Sequence, residues 1–253
     1  MNEMSKLTGK VAVVTGASKG IGAAIAKRIA ADGASVVVNY STGREGAEQV
    51  AREIEKAGGK AISVGGSVAK ESDIAGLFAE TKKAFGKVDI LVNNAGVYNF
   101  MPLEQVGPEE FRRQFDTNVL GLLLATKAAS PLFPAEGGSI INISSVVSSL
   151  APAGGSIYSS TKAAVDTITK TLAKELAPRG IRVNAVSPGF VITEGTQTAG
   201  IVGSDFEKAA VAATPLGRAG RPEDIAPPVA FLASDDARWI TGETIYVSGG
   251  AAI

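Results

Sequence analysis

A tyrosine and a lysine lie one helical turn apart in the stretch GGSIYSSTKAA, at positions 158 and 162. If this stretch is helical, the two side chains share one face and lie about 6 Å apart along the axis. Tyrosine titrates near pH 10 and becomes a useful acid or base only where a neighbouring charge stabilises its anion. Tyr158 and Lys162 are therefore candidates for proton transfer, although this spacing also arises by chance or as an ordinary surface pair.

Two residue types are missing from the chain, which contains no cysteine and no histidine. Their absence excludes disulfides, thiolate nucleophiles, imidazole acid–base chemistry and metal sites built on Cys or His ligands. We therefore predict no metal site. Any proton transfer in this protein must use tyrosine, lysine, carboxyl groups or hydroxyl groups.

The overall composition is that of a globular protein with a large core. Among its 253 residues, 45% are hydrophobic, and 25 basic residues balance 25 acidic ones. A net charge of zero gives no reason to expect nucleic acid or an anionic membrane as a partner. The first ten residues lack the apolar core of a signal peptide, and no apolar run reaches the length of a membrane span. The expected location is the cytoplasm.

The elements that must position Tyr158 and Lys162 alternate along the chain. Short apolar runs predict seven buried strands, at 10–16, 34–40, 60–66, 88–96, 137–145, 181–189 and 243–250. Helical patterns lie between them, at 20–32, 43–57, 71–85, twice within 103–133, and from Tyr158 to about Pro178. This alternation predicts one doubly wound α/β domain, residues 1–253, with about seven parallel strands and helices on both faces. Residues 190–220 interrupt the pattern with one helical stretch at 205–213, which is typical of a lid over a binding site.

The sequence TGASKGIG, residues 15–22, follows the first strand directly and opens the first helix. Its three glycines permit a tight turn, a close approach of the backbone to a pyrophosphate, and a helix N-terminus directed at that anion. No Gly-Lys-Ser/Thr closes the motif, so it is not the phosphate loop of a nucleoside triphosphatase. A dinucleotide site is predicted, and the alternative is a glycine-rich turn that binds nothing.

Polar residues also follow the fourth and fifth strands, as NNAG at 93–96 and NISS at 142–145. Because the carboxyl ends of parallel strands meet at one edge of the sheet, these residues, the glycine turn and Tyr158 are expected to lie together. The asparagines could instead satisfy loop backbone groups, and Ser144 is interpreted as an ordinary hydroxyl at a strand end.

Together these motifs resemble those of the classical short-chain dehydrogenase/reductase family over essentially the whole chain. The family's T-G-x-x-x-G-x-G, N-N-A-G, Y-x-x-x-K and P-G-x-V-x-T patterns are matched at 15–22, 93–96, 158–162 and 188–193. The family's active-site serine corresponds to Ser145, and its catalytic asparagine corresponds to Asn118 in DTNVLG. Motifs in this order are highly specific.

The resemblance implies hydride transfer between a nicotinamide cofactor and a carbonyl carbon, with four catalytic residues: Asn118, Ser145, Tyr158 and Lys162. Tyr158 would exchange the proton, and Lys162 and the oxidised nicotinamide would lower the Tyr158 pKa. Lys162 would also hold the nicotinamide ribose, and Ser145 would donate to the substrate oxygen. Asn118 would anchor a water that relays protons to Lys162.

The resemblance also implies a cofactor site along the carboxyl edge of the sheet. Its expected residues are, in chain order, Gly16, Ser18, Lys19, Gly20, Ile21, Gly22, Asn39, Tyr40, Ser41, Arg44, Ser67, Val68, Asn94, Ala95, Gly96, Tyr158, Lys162, Pro188, Gly189, Val191 and Thr193. One departure from the family pattern is Ser67-Val68, where an Asp-Val pair usually contacts adenine. The adenine contact is therefore left to the Val68 backbone.

The choice of nicotinamide depends on the end of the second strand. NAD enzymes usually carry an acid there for the ribose 2′-hydroxyl, whereas this chain has Asn39-Tyr40-Ser41, then Arg44, with Lys19 in the glycine turn. Two cations suit a 2′-phosphate, so NADP(H) is favoured over NAD(H). The alternative is that both cations are solvated and Asn39 accepts the ribose of NAD(H).

Side chains near the expected site favour an apolar or mixed ketone, or the corresponding secondary alcohol, as a small-molecule substrate. They are Tyr98, Phe100, Val147, Phe190 and Ile192, although each could belong to the core, Phe100 as readily as not. Relatives that act on acyl-carrier-protein substrates often have a basic residue where this chain has Glu136, which argues against that partner. The alternatives are a glucose-type sugar dehydrogenase, a non-catalytic cofactor sensor, and a lyase or epimerase.

Members of the family are usually tetramers that pair helices near 115–132 and 157–177, so a homotetramer is expected. Small residues on these helices would permit close packing between subunits, and equally against the sheet. They are Ala125, Ala128, Ala129, Ala163 and Ala164.

Overall fold

A parallel sheet of seven strands forms the centre of the protein in the computed structural model, which describes residues 5–252. The strands are β1 (Val11–Val14), β2 (Ser35–Tyr40), β3 (Lys60–Gly65), β4 (Ile90–Asn93), β5 (Gly138–Ile143), β6 (Ile181–Pro188) and β7 (Thr244–Val247). Their order is β3-β2-β1-β4-β5-β6-β7, and every pairing is parallel. The predicted α/β fold with a seven-stranded parallel sheet is confirmed. Residues 1–4 and 253 of the predicted domain lie outside the described residues.

Helices cover both faces of this sheet, as the alternating pattern predicts. They are α1 (Gly20–Ala31), α2 (Arg44–Lys56), α3 (Glu71–Phe85), α4 (Pro108–Phe115), α5 (Gly121–Ala129), α6 (Val147–Leu150), α7 (Ser156–Leu176), α8 (Glu194–Thr198), α9 (Asp205–Ala212) and α10 (Pro222–Ala233). A π-helical segment, Asp116–Leu120, joins α4 to α5. Within residues 5–252, no helix combines the length and the apolarity that a membrane crossing requires.

Alternating residues of the central strands enter two separate hydrophobic cores. Ala12 and Val14 of β1 belong to the core beneath α1, α2 and α10, whereas Val13 belongs to the core beneath α3, α5 and α7. Because both faces of these parallel strands are buried, successive residues are apolar and the strand sequences form continuous apolar runs. Ala125 and Ala129 of α5 are fully buried in the second core, so these two small residues pack against this subunit's own sheet.

Strand β4 ends at Asn93, three residues before the predicted limit of 96. The backbone N–H of Asn94 turns back to the Val92 carbonyl at 3.1 Å and also donates to the Thr15 hydroxyl at 3.0 Å. The three residues that follow Asn93 therefore form a loop at the carboxyl edge of the sheet. This loop faces the glycine turn, where cofactor contacts are expected.

Helix α10 was not anticipated from the sequence because Pro227 and Pro228 lie within it. Proline has no N–H and normally interrupts a helix interior. Here Ile225, Val229 and Leu232 are 0–1% exposed against the sheet and α1. Burial of this apolar face compensates for the missing backbone hydrogen bonds.

The two ends of the segment 190–220 are held together by a short bridge. A parallel bridge joins Val191 to Gly220, in which Gly220 N–H donates to the Phe190 carbonyl at 2.9 Å and Ile192 N–H donates to the Gly220 carbonyl at 3.0 Å. The predicted helical stretch at 205–213 is α9, and α8 is a second helix that the sequence pattern did not indicate. We call this segment the lid.

Candidate active site

The glycine turn after β1 is built for close backbone contact. Gly16 has φ +62°, and a β-carbon there would lie 2.8 Å from the Cα of Ala95. A β-carbon on Gly22 would lie 2.5 Å from the Gly16 carbonyl oxygen. The Asn94 amide donates to the carbonyls of Thr15 and Gly16, at 2.9 Å each. The turn is thereby fastened to the loop after β4, and it presents backbone rather than side chains to a ligand.

The N-terminus of α1 behaves as an anion site. Its N-cap, Lys19, makes no side-chain capping hydrogen bond. The Gly20 N–H instead donates to the Glu194 carboxylate, at 3.0 Å, from the start of the lid. An oxygen anion is thus accepted where the phosphates of a dinucleotide bind in this type of fold. The donor set and the glycine cradle fit a dinucleotide.

Asn39, at the end of β2, lies beneath the glycine turn rather than beside it. Its side chain is 1% exposed. Its oxygen accepts from the Gly16 N–H at 3.3 Å, and its amide donates to the carbonyls of Val64 and Gly66 at 3.2 and 3.0 Å. The side chain therefore holds the turn in place, and at 1% exposure it offers almost no surface to the ribose of NAD(H).

The two cations expected at a 2′-phosphate flank the junction between the glycine turn and α2. A β-carbon on Gly46 would lie 2.5 Å from the Ser18 carbonyl, so the turn and α2 are in contact. Arg44 is exposed, and its Nε donates to Glu48 at 2.7 Å, which raises the Arg44 pKa. Lys19 is exposed, and we find no partner for its ammonium group among residues 5–252. Of the other expected residues there, Tyr40 is half-buried and Ser41 is exposed.

Ser67 and Val68 occupy the place where the family pattern has an acid before valine. The Ser67 N–H donates to Asp73 at 3.0 Å, and the Ser67 hydroxyl accepts from the Ala69 N–H at 3.3 Å. Val68 is 5% exposed, and a β-carbon on Gly121 would lie 2.7 Å from its side chain. The Val68 side chain therefore packs under α5, which leaves its backbone as the expected adenine contact.

The last stretch of the predicted cofactor site, at 188–193, meets the glycine turn from the other side. Pro188 ends β6 and Val191 is 6% exposed in the core. Gly189 lies close to Ser248, because a β-carbon on Gly189 would lie 3.0 Å from the Cα of Ser248. Thr193 caps α8, because its hydroxyl accepts a hydrogen bond from the Thr196 N–H at 3.2 Å. It also lies close to the glycine turn, since a β-carbon built on Gly20 would lie 3.4 Å from the Thr193 β-carbon.

Tyr158 and Lys162 lie on the first turns of α7, at the carboxyl edge of β5. The Lys162 side chain is almost fully buried, and its Nζ donates to the Ile143 carbonyl at 2.8 Å. Nζ lies 5.8 Å from the centroid of the Tyr158 ring. Burial lowers the pKa of Lys162 to about 8, although Asp166, one turn further on, opposes this shift.

Burial raises the pKa of Tyr158 to about 12, and a hydrogen bond with Ser145 opposes the rise. The sequence-based argument expects Lys162 and the oxidised nicotinamide together to lower the Tyr158 pKa. Among the protein groups around the phenol, burial is the largest cause of its pKa shift, and the lysine ammonium donates to the Ile143 carbonyl. Tyr158 is therefore protonated throughout the neutral pH range, which is the form that donates a proton.

Asn118 lies in the π-helical segment, a distortion that occurs frequently at functional sites. Its amide donates to the Val97 carbonyl at 2.8 Å and the Thr161 hydroxyl at 3.0 Å, and its oxygen accepts from the Val97 N–H at 2.8 Å. Asn118 and Lys162 line one cavity of about 10 Å³, together with Asn93. This volume is about that needed to hold one water molecule, so the geometry is compatible with the expected relay.

The structural role of Asn93 was not predicted from the sequence, whereas that of Ser144 was. Asn93 has a buried side-chain oxygen without a hydrogen-bond partner among residues 5–252, and this residue lines the cavity beside Lys162. Its amide donates to Asn142 at 2.9 Å, which ties the ends of β4 and β5 together. Ser144 is 3% exposed and donates to the Lys162 backbone carbonyl at 3.3 Å, as an ordinary strand-end hydroxyl would.

A row of aromatic rings leads from Tyr158 to the lid, and we call it the aromatic row: Tyr98, Tyr158, Phe100, Phe206 and Phe190. The sequence analysis named the loop residues Tyr98 and Phe100 and the lid residue Phe190, but not Phe206 of α9. Phe206 could have been found as the one aromatic residue in the helical stretch predicted at 205–213.

Comparison with known proteins shows extensive similarity. A family model described as Enoyl-(Acyl carrier protein) reductase matches residues 16–252. The chain is 61% identical over 247 residues to an uncharacterized oxidoreductase of Methylorubrum extorquens, covering 98% of this chain and 99% of the relative. It is 41% identical over 242 residues to the 3-oxoacyl-(acyl-carrier-protein) reductase FabG of Staphylococcus epidermidis, covering 95% of this chain and 98% of the relative.

Solved structures show the same fold. A dehydrogenase/reductase from Sinorhizobium meliloti 1021 matches with a TM-score of 0.94 at 39% identity, covering 99% of this chain and 98% of that one. The landomycin C-6 ketoreductase LanV, solved with bound NADP and rabelomycin, matches with a TM-score of 0.87 at 38% identity, covering 98% of each chain.

Proposed function

The chain is an oxidoreductase of the short-chain dehydrogenase/reductase family, and we propose that it transfers hydride between NADP(H) and a small-molecule ketone or secondary alcohol. The observation that carries this proposal is the convergence of Tyr158, Lys162 and Ser145, with Lys162 next to the loop after β4 that contacts the glycine turn. A direct test follows cofactor absorbance with NADPH and NADH in parallel, against aryl ketones, keto esters and diketones. Glucose is offered in the oxidative direction to test the sugar dehydrogenase alternative.

The proposed mechanism assigns one task to each catalytic residue. Reduced nicotinamide supplies the hydride when bound. Tyr158 donates its phenolic proton to the carbonyl oxygen, and Ser145 donates a hydrogen bond to that oxygen as negative charge develops. Lys162 holds the nicotinamide ribose, and Asn118 holds the water through which Tyr158 and Lys162 regain a proton. The remaining predicted residues of the glycine turn and of 188–193 bind the dinucleotide.

Preference for NADP(H) is proposed on the basis of Lys19 and Arg44, and it can be tested by their removal. We expect Lys19→Ala and Arg44→Ala each to raise the Kd of NADPH about tenfold, because each loses one charge-assisted contact to the 2′-phosphate. The Kd of NADH should stay within about twofold, since NADH lacks that phosphate. Fluorescence titration of both nucleotides measures these constants.

The matched control for this prediction is Arg52→Ala. Arg52 is also an exposed arginine on α2 within 4.0 Å of Glu48, two turns beyond Arg44. Its removal takes away one positive charge, as the Lys19 and Arg44 variants do, and should leave the Kd of NADPH and the Kd of NADH unchanged. Equal losses of NADPH and NADH affinity in the Lys19 and Arg44 variants would contradict the assignment of a 2′-phosphate site.

Glu194 gives a second prediction about the cofactor site. Its carboxylate binds the Gly20 N–H, which a dinucleotide phosphate also requires, and two anions repel each other there. We expect Glu194→Ala to lower the Kd of NADPH several-fold, as measured by fluorescence titration at low ionic strength. Glu55→Ala, which removes an exposed carboxylate on α2, controls for net charge. Weaker NADPH binding by Glu194→Ala would show that the carboxylate supports the cofactor instead.

Reduction of a 3-oxoacyl thioester is the second candidate activity, because a relative 41% identical to this chain carries that name. Glu136 places an exposed carboxylate just before β5, where a basic residue would suit an acidic carrier protein. This charge favours a free small molecule over a carrier-bound one. A 3-oxoacyl thioester included in the ketone panel tests the candidate directly.

The domain boundaries, the lid, the location and the subunit assembly are also part of the proposal. We propose one domain over residues 1–253, a lid at 190–220, a cytoplasmic location and a homotetramer. Exposed apolar side chains along α4, the π-helical segment and α5 support an interface there; Phe111, Leu120 and Leu123 are 46%, 43% and 38% exposed. Their position agrees with the helix pairing near 115–132 that the family resemblance implies.

A further inference from the structure

The aromatic row starts at the phenol and ends in the lid. The ring centroids of Tyr98 and Phe100 lie 5.9 and 5.8 Å from the centroid of Tyr158. The Phe206 ring lies 6.3 Å from Phe100 and 5.9 Å from Phe190. Three separate segments thus bring aromatic rings to the place where the substrate carbonyl must meet Tyr158: the loop after β4, helix α7 and the lid.

The aromatic row is more open than a hydrophobic core. Phe206 is 51% exposed and Tyr98 is 36% exposed. All four ring pairs are tilted or edge-on, with interplanar angles between 49° and 78°. In contrast, Phe111 and Phe115 of α4 are stacked, with centroids 4.3 Å apart. The rings of the aromatic row therefore keep surface available for a further ring.

We propose that the aromatic row selects ketones whose carbonyl carbon carries a planar aromatic ring, and that Phe206 is the lid residue that imposes this selection. The inference rests on the proposed ketone reduction. Aromatic rings attract one another in edge-to-face and offset arrangements beyond the burial of their surface. A substrate ring beside Tyr158 would gain such contacts with Phe100 and Phe206, and a saturated ring of similar size would not.

The polar groups of the aromatic row favour this substrate class over a sugar. Apart from Tyr158, the only polar group on its side chains is the Tyr98 hydroxyl. Burial raises the Tyr98 pKa, so this hydroxyl stays neutral. A sugar brings several hydroxyls that lose hydrogen bonds to water and need partners in the site. The row offers too few partners for them, whereas an aryl ring needs none.

The lid fixes the position of Phe206. Both ends of the lid are joined at the bridge between Val191 and Gly220. Helix α9, which carries Phe206, begins at a cap in which the Ser204 hydroxyl accepts from the Glu207 N–H at 3.4 Å. Since the Phe206 side chain is half-exposed, its replacement should alter the site without unfolding the protein.

The test compares two ketones that share a carbon skeleton, acetophenone and cyclohexyl methyl ketone. The selectivity ratio is kcat/KM for acetophenone divided by kcat/KM for cyclohexyl methyl ketone, with NADPH saturating. We expect Phe206→Leu to lower this ratio about tenfold relative to the unmodified chain, and Phe206→Tyr to keep it within about twofold because the ring is retained. The different intrinsic reactivities of the two ketones cancel in this comparison between variants.

Phe231→Leu is the matched control, since Phe231 of α10 is 42% exposed and lies outside the aromatic row. It should leave the ratio unchanged, and NADPH Kd and thermal unfolding should be the same in all four proteins. An unchanged ratio in Phe206→Leu, or an equal fall in Phe206→Tyr, would overturn the inference while ketone reduction itself stands. If the unmodified chain reduces neither ketone and no other member of the panel, the proposed function fails and the inference fails with it.

Discussion

Replacement of Tyr158 by phenylalanine is expected to lower kcat for ketone reduction by about three orders of magnitude, because the proposed general acid is lost. The ring remains, so its contacts with Tyr98 and Phe100 are kept. NADPH binding and the thermal unfolding temperature should therefore change little. Steady-state kinetics with a ketone of the panel, together with an NADPH titration, separate the loss of chemistry from a loss of binding.

The control for this variant is Tyr246→Phe, which also removes one phenolic hydroxyl. Tyr246 lies on β7, and its hydroxyl is 2.6 Å from that of Ser149, so its hydrogen-bond partner differs from that of Tyr158. Its kcat should stay within about twofold of the unmodified chain. If Tyr158→Phe kept more than a tenth of the activity, the proton would have another source.

The raised Tyr158 pKa also predicts how the rates of reduction and oxidation depend on pH. A pKa of about 12 leaves the phenol protonated at neutral pH, which suits reduction. The reverse reaction requires the phenolate, so the rate of alcohol oxidation should rise with pH up to the pKa that applies with cofactor bound. Loss of this rise in Tyr158→Phe would assign the titration to Tyr158.

Replacement of Lys162 by methionine is expected to abolish most activity and yet stabilise the fold. The pKa of this buried lysine is lowered from 10.5 to about 8, so the folded protein disfavours its charged form. This lowering of the Lys162 pKa corresponds to a loss of about 3 kcal/mol from the free energy of unfolding at pH 7. Because methionine leaves the Ile143 carbonyl without its donor, the net gain should be about 1–2 kcal/mol in the free energy of unfolding.

The pH dependence of this gain follows from the sign of the shift. A lysine with a lowered pKa destabilises the fold fully below pH 8, and the penalty disappears as pH rises from 8 to 10.5. The unfolding temperature of Lys162→Met should exceed that of the unmodified chain by a few degrees at pH 7, and the difference should shrink towards pH 10. Thermal unfolding followed by circular dichroism at several pH values measures both effects.

Lys170→Met is the matched control for stability, because Lys170 is an exposed lysine on the same helix. Its unfolding temperature should change little at any of these pH values. Activity of Lys162→Met should fall at least about a hundredfold, since the proposed ribose contact and the proposed proton relay would both be lost. A variant that is less stable than the unmodified chain at pH 7 would show that the Ile143 hydrogen bond outweighs the cost of the buried charge.

The sequence alone determined the class of fold, and through a family resemblance it predicted four catalytic residues. Apolar strands alternating with amphipathic helices can bury both faces of their sheet only as a parallel α/β arrangement. Parallel strands gather their carboxyl ends at one edge, so Asn94, Ser145 and Tyr158 could be placed together from the strand positions. These inferences depend on local periodicity and on strand direction, which a single sequence contains.

Only the tertiary structure decided how the side chains at that edge are used. Glu194 meets the Gly20 N–H across 174 residues of chain, and Phe206 reaches Phe100 through the lid. The Asn39 side chain lies beneath the glycine turn, where it forms hydrogen bonds with three backbone groups. The Tyr158 pKa rises because the phenol is buried, and a hydrogen bond with Ser145 only partly opposes the rise. Each of these outcomes depends on distances and desolvation between segments far apart in the chain, which residue spacing does not specify.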